Sequence, residues 1–417
     1  MKTKPAVERT MPLPTKTSMN ILFALSLAHL LNDMLQSVVS ASYPVIKDNL
    51  SLTFGQVGII AFVYQICASV FQPAFGVLFD KKPSPWYLSL GTSSTLVGLL
   101  ILAFAHSVYM VMVAVAFVGL GSSIIHPEAS RLTHYASGGK HGLAQSIFQV
   151  GGNFGGSIGP LLAALIIAPY GQEYMVVFAG IAVISILTKR PITKWYAERI
   201  KTLKSRTASK EVIHRVRLTK HQVYYSLIIL LVLIFSKYVY TASLTNYYTF
   251  YLIEKFNVTT QQSQLFLFAF LFASAAGTLV GGPIGDRFGR KYVIWFSILG
   301  TAPFSLLMPH ADLFWTCVLS IIIGFVLSSA FSAILVYAQE LLPTKVGLIS
   351  GLFFGLAFGI AGVAAAVLGN VADHQGIEYV YNFCAYMPLL GFIAIFLPNV
   401  KPHRYGNVPQ RGSMQGK

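Results

Sequence analysis

Charge is scarce in this sequence. Asp, Glu, Lys and Arg make up 11% of its 417 residues, where an ordinary soluble domain has about a quarter. So few charged groups cannot cover the surface of a water-soluble fold of this length. Acidic residues are scarcer still: 14 Asp and Glu stand against 30 Lys and Arg, for a net charge of +16. Cysteine is nearly absent. Cys67, Cys317 and Cys384 lie far apart in apolar runs, which rules out a disulfide framework and any paired zinc spacing; no metal or cofactor is expected. What is abundant is apolar, at 55% of residues. A basic balance alone would raise nucleic acid as a partner, but this hydrophobicity argues against it and points to a lipid bilayer.

Twelve apolar stretches reach the roughly 20 residues that a bilayer core demands. They are 19–43, 56–79, 86–105, 108–133, 141–168, 173–189, 222–252, 264–285, 291–308, 312–338, 347–372 and 377–397. The runs are continuous rather than alternating, so helices are expected, because a helix satisfies its own backbone in lipid. With the N-terminus cytoplasmic, 27 of the 30 basic residues fall on the cytoplasmic side, as the bias of Lys and Arg toward cytoplasmic loops requires. Lys47 and Lys255 fall outside, and Lys237 lies within a helix. The first apolar segment exceeds a signal-peptide core and lacks a small-residue cleavage site, so it reads as a retained membrane helix.

The halves repeat. Gly76 and Asp80 after helix 2 return as Gly282 and Asp286 after helix 8, and Ser122 and Ser123 return as Ser328 and Ser329, both at an offset of 206. Gly142 and Leu143 return as Gly347 and Leu348 at 205. The expected fold is therefore an all-α polytopic membrane protein, with 12 transmembrane helices in two six-helix pseudo-symmetric halves. Its parts are a cytoplasmic tail 1–18, a half 19–189, a basic linker 190–221, a half 222–397 and a tail 398–417. Same-orientation halves with a site at the midplane suit a secondary transporter.

Several residues stand out against this frame. Asp33 lies about 14 residues into helix 1, near mid-bilayer, where a charge costs roughly 2.5–3.5 kcal/mol. A carboxyl there can serve as a proton carrier, or be a protonated group that holds helices together. His29, Asp33 and Gln36 share a face at i, i+4 and i+7. In helix 4, His126, Glu128 and Arg131 cluster around Pro127. Glu128 and Arg131 are either a structural ion pair or a proton-exchanging one. Ser332, Ile334 and Tyr337 occupy the matching places in the second half, and that asymmetry favours a one-sided proton role.

Lys237 is expected to bind an anion or to pair with Asp33, on a face shared with Tyr240, Thr241, Tyr248 and Tyr251; snorkelling beside belt tyrosines is the bland alternative. Tyr247, Tyr248 and Tyr251 individually suit that belt. Gln149 and Asn153 are candidate cavity-lining groups on helix 5, amid glycines that allow close helix approach. Asp80, Asp286, Arg287 and Arg290 read as a latch that pairs charges when the halves close on the cytoplasmic side.

The segment Gly282, Asp286, Arg287, Gly289, Arg290 and Lys291 resembles the loop signature of the major facilitator superfamily. The first-half copy keeps Asp80 but carries Lys81, Lys82 and Pro83 where the signature continues. Gly155, Gly159 and Pro160 are similar to the Gly-Pro motif of antiporters in that superfamily. Longer blocks at 26–34, 121–131, 142–155, 235–238, 247–252 and 333–343 resemble its fosmidomycin-resistance group. The resemblance covers roughly residues 20–400. It implies a bacterial inner-membrane, proton-coupled exporter of small anionic phosphonate antibiotics, acting as a monomer. A symporter importing an organic acid is the alternative, and the Gly-Pro motif leans against it. An intramembrane enzyme with His29, Asp33, His126 and Glu128 around a metal has the ligand types but no enzyme signature, and it leaves the duplication unexplained.

Overall fold

The computed structural model describes residues 17–52, 54–205 and 218–400. The N-tail before residue 17, linker residues 206–217 and the C-tail from 401 lie outside the described residues. Twelve apolar helices follow one another: α1 (Met19–Ala41), α2 (Gln56–Lys81), α3 (Tyr87–Ala103), α4 (Val108–Ala136), α5 (His141–Tyr170), α6 (Gln172–Lys201), α7 (Lys220–Phe256), α8 (Leu265–Phe288), α9 (Arg290–His310), α10 (Leu313–Leu341), α11 (Val346–Gln375) and α12 (Ile377–Phe396). Among the described residues, eleven are long and apolar enough to cross a membrane, and α3 is shorter. No strand occurs among the described residues. The expected stretches agree with these bounds to about four residues, with one exception.

The exception is the end of α6. The chain stays helical through Arg190–Ser205, inside what the sequence suggested was a linker. Ile192 and Tyr196 are buried and Trp195 and Ile200 partly so, a stripe at helical spacing that anchors the basic segment to the core.

Local chemistry sets the helix ends. Ser107 caps α4 by accepting from the Met110 N–H. Thr219 and Gln222 close a capping box at the start of α7, and Thr259 and Gln262 do the same for the helix that contains α8. Gly289, at φ 104°, breaks the chain between α8 and α9, a conformation that glycine adopts without a steric penalty. Pro160 lies within α5 and is followed by a π-helical turn at Ala163–Ile167.

Between halves, α2 packs on α11 and α5 on α8. Within the first half, α5 packs on α1: a Cβ at Gly155 would stand 2.1 Å from the Leu30 carbonyl oxygen, and one at Gly159 would stand 2.4 Å from Ser37 Cβ. Those two glycines make the close contact between α1 and α5 inside one half.

The core shows which end of the bundle is shut. At the basic end, where the α2–α3, α4–α5, α8–α9 and α10–α11 connections lie, one cluster joins both halves and includes Ile125, Phe148, Leu233, Phe331 and Phe354. Toward the other end the core splits in two. One part is wholly in the first half, around Val39, Leu99 and Val115. The other is wholly in the second, around Tyr240, Leu252 and Ile323. An apolar cleft of about 1110 Å³, with Gln65 and Ser69 among its lining residues, runs between α2, α7 and α11.

Candidate functional site

Two helices of the first half bring His29, Asp33 and His126 together. One turn of α1 sets His29 Nε2 3.1 Å from Asp33 Oδ2, as the i, i+4 spacing predicts. From α4, His126 Nε2 stands 3.2 Å from Asp33 Oδ1, a contact between residues 93 positions apart. Each ring is fixed from behind. His29 Nδ1 donates to the Phe148 carbonyl at 2.8 Å, and His126 Nδ1 lies 3.0 Å from the Ser122 carbonyl. A carbonyl only accepts, so His29 Nδ1 carries the hydrogen. His126 Nδ1 also lies 3.1 Å from the Ser122 hydroxyl, which can donate to it or accept from it, and both Nε2 atoms face the carboxylate. Asn32 donates to Asp33 Oδ1 at 3.0 Å. The histidine side chains are 2% and 0% exposed and that of Asp33 is 19% exposed, so the cluster opens through its carboxylate. A Cβ at Gly152 would lie 2.3 Å from His29 Cε1; only glycine leaves room here. The three ligand-type atoms lie within 4.8 Å of one another, so a single cation can reach all of them. Beside the cluster, Gln36 accepts from the Tyr64 hydroxyl at 2.6 Å.

Glu128 and Arg131 do not join this cluster. Arg131 donates through Nε and a terminal nitrogen to the two Glu128 oxygens, both at 2.9 Å. It also donates to the Phe79 carbonyl at 2.9 Å and to the Tyr196 hydroxyl at 2.7 Å. The rings of Tyr135 and Tyr196 flank the guanidinium, each at 5.6 Å. Glu128 and Arg131 are each 1% exposed. In this arrangement the Arg131 fork, expected to face substrate, is taken up by protein groups. The two halves are also less unlike here than their sequences suggest. Arg290 of the second half bonds Asp286 at 2.9 Å and Glu340 at 3.1 Å, an equivalent buried arginine–carboxylate cluster built from other positions.

The latch differs in kind from the charge pairing expected. Asp80 accepts from the Gly347 and Leu348 N–H groups, both at 2.9 Å. Asp286 accepts from those of Gly142 and Leu143, again at 2.9 Å. Each carboxylate caps a helix N-terminus of the other half, where unsatisfied N–H groups and the helix dipole favour an anion. A Cβ at Gly142 would come within 2.3 Å of the Gly282 carbonyl oxygen, and one at Gly347 within 2.6 Å of that of Gly76. Of the basic residues expected to pair with Asp286, only Arg290 does. Arg287 lies over Phe288, and Lys291 donates to the Ile395 carbonyl.

Lys237 is 6% exposed. Its ammonium lies 5.3 Å from the Tyr238 ring centre and 5.8 Å from that of Phe331. The pairing with Asp33 is not made, since Asp33 faces the histidines. The expected ring of hydroxyls is not made either. Tyr240, Tyr248 and Tyr251 are core residues of the second half, with Tyr251 stacked on Tyr381 at 4.0 Å, so Tyr248 and Tyr251 are not belt residues. Gln149 is buried, and its Oε1 has no hydrogen-bond partner among the described residues. Asn153 lies 3.4 Å from Thr278 Oγ1 across the α5–α8 interface.

Three contributors escaped the sequence reading. Tyr196 stood in a basic run and looked like linker. Lys189, 0% exposed, donates to the Thr92 and Ser185 hydroxyls at 2.5 and 2.8 Å, although the sequence shows it only as one basic residue among many. Gln339 meets His134 across the halves at 3.2 Å. These two are related by the repeat offset of 205, which was the available signal.

The Major Facilitator Superfamily profile matches residues 25–256 and 229–416. The chain is 56% identical over 384 residues to the fosmidomycin resistance protein of Escherichia coli (strain K12), covering 92% of this chain and 94% of that one. It is 42% identical to the uncharacterized MFS-type transporter YfnC of Bacillus subtilis (strain 168), covering 95% and 97%. In fold it is similar to the crystal structure of the E. coli fucose:proton symporter FucP. That match has a TM-score of 0.68 at 15% identity and covers 92% of this chain and 99% of that one. By profile, sequence and fold, the chain belongs to the major facilitator superfamily and is a transporter.

Proposed function

We propose that the chain is a proton-coupled antiporter that exports small anionic compounds of the phosphonate type by alternating access. It works as a monomer in the bacterial inner membrane, with both termini and the basic end cytoplasmic, and with residues 19–189 and 222–397 as its moving halves. One observation carries this reading: His29 and His126 turn both their Nε2 atoms onto the Asp33 carboxylate, at 3.1 and 3.2 Å. The bare His29 Nε2 lone pair facing a carboxylate is repulsive until a proton lies between them, and His126 Nε2 can pass or receive a proton at the same carboxylate. Protons entering from outside load the cluster through Asp33. Opening of the basic end then releases them inward.

Substrate class rests on Lys237, a buried cation with aromatic walls, and on the relative named for fosmidomycin resistance. Gln36, Gln149 and Asn153 supply polar contacts. Asp80, Asp286 and Arg290 hold the basic end shut, with Gly289 as the break between α8 and α9.

Everted membrane vesicles energised by an imposed pH gradient test the reading. Phosphonates are expected to accumulate and a protonophore to abolish the uptake. Preference for cationic dyes over phosphonates sinks the anion site. Movement of substrate in the same direction as protons makes the protein a symporter instead. Stoichiometric zinc or nickel in the purified protein reassigns the cluster from protons to metal.

A further inference from the structure

Two phenylalanines one turn apart on α11 carry the second half onto the histidine cluster of the first. Phe358 lies 4.9 Å from the His126 ring centre, and Phe354 alone of the two also reaches His29 and Phe148. Phe354 lies eight residues from Val346, or about 12 Å along the helix at 1.5 Å per residue. Its ring centre lies 5.4 Å from that of His126 (α4), 6.2 Å from Phe148 (α5) and 6.4 Å from His29 (α1). On its other side is Phe331 of α10 at 5.2 Å, which in turn flanks the Lys237 ammonium. Phe354 is 2% exposed and Phe331 is 3% exposed. An aromatic layer thus separates the carboxylate–histidine cluster from Lys237.

The layer also lies on the basic-end side of the cluster. Phe148 is seven residues into α5 and Asp33 fourteen into α1, about 10 Å against about 21 Å of rise. The contacts of Phe354 are divided between the halves, so they exist only while α11 lies against α1, α4 and α5. Two helical turns back on the same rigid helix, the Gly347 N–H is held by Asp80. Latch and aromatic layer therefore move together.

We propose that Phe354 is a positioning residue that seals the proton cluster from the basic end and from Lys237, so that protons leave inward only when α11 swings away. This rests on the proton reading above.

The test uses full-length protein in liposomes with a trapped pH-sensitive dye, an imposed pH gradient and no substrate. Wild type is expected to hold the gradient, Phe354→Leu to hold it nearly as well, and Phe354→Ala to dissipate it about tenfold faster, a loss of about 1.4 kcal/mol of barrier. Adding Asp33→Asn to Phe354→Ala is expected to stop the leak, which a mere packing defect would not do. A monodisperse Phe354→Ala protein that is as tight as wild type overturns the proposal, and so does a leak that survives Asp33→Asn. Should Phe354→Ala fail to fold, Phe354→Val decides by the same readout: a leak supports the seal and tightness overturns it. Wild type that moves no protons with substrate refutes the proton reading itself. Coupled wild type beside a tight alanine variant refutes the seal alone.

Discussion

At the basic end, Asp80 of the first half caps α11 of the second, and Asp286 of the second caps α5 of the first, with four bonds of equal length. Each half there also carries a buried arginine paired with a glutamate, Arg131 with Glu128 and Arg290 with Glu340. Mid-bundle the halves part company. The first has a carboxylate between two imidazoles; the second has an ammonium against two aromatic rings. Duplication has kept what joins the halves and lost resemblance where a transported species would sit. Symmetric contacts hold the halves in one arrangement, and the asymmetric centre places unlike groups in them, a carboxylate–imidazole cluster in one and a buried ammonium in the other.

Removing the carboxylate should break the comparison most severely. Asp33→Asn keeps the shape and the bond to Asn32 but removes the charge on which both histidines converge. Export driven by an imposed pH gradient is expected to fall about 100-fold, or about 2.7 kcal/mol in barrier, while substrate binding to detergent-solubilised protein persists. Normal export by this variant, measured in everted vesicles, would remove the proton role of Asp33.

The latch comes next. Asp80→Ala and Asp286→Ala each delete the two charge-assisted bonds to a helix N-terminus of the other half, worth about 1.5–3 kcal/mol apiece, and Asp286→Ala also deletes the bond to Arg290. Each should slow transport by about tenfold and raise cysteine cross-linking accessibility at the α2–α11 or α5–α8 contact. If the halves share the latch equally, the two effects agree. A much larger effect of Asp286→Ala would assign the extra to its Arg290–Glu340 partners and break the symmetry.

Lys237→Gln sharpens the other side of the centre. The apparent KM for a phosphonate is expected to rise about tenfold, with maximal rate little changed, because a uniform binding contact is lost. Lys237→Arg should recover part of it. Equal KM values in wild type and Lys237→Gln would leave the ammonium without a substrate role.

Much of this was legible in the sequence. The twelve spans follow from apolar runs, and the latch positions follow from a repeat whose anchors turn out to touch across the halves. His29 and Asp33 were legible because one helix turn joins them. His126 was harder to place. In sequence it stands beside Glu128, yet successive residues on a helix point about 100° apart, and only packing of α4 on α1 shows which of them reaches Asp33. Face reasoning likewise misled at Lys237. Tyr248 and Tyr251 share its face but stand 11 and 14 residues away, about 16 and 21 Å along the axis. The ring that flanks Lys237 from another helix is Phe331 on α10, and sequence spacing on α7 could not show it.

Tyr196 offers the finest cut. Its hydroxyl accepts one bond from Arg131 and its ring covers the guanidinium, so the C-terminal end of α6 completes the first-half cluster. No matching linker residue is needed in the second half, where Asp286 and Glu340 flank Arg290 directly. Tyr196→Phe keeps the ring and removes only the acceptor. Stability of the purified protein should fall by about 1 kcal/mol, and transport should slow by less than about fivefold, because the two Glu128 bonds remain. Thermal unfolding in detergent beside the vesicle assay measures both. A transport loss as large as that of Asp286→Ala would mean that the end of α6, rather than Glu128, holds Arg131 in place, and the two basic-end clusters would then be closed by different parts of the chain.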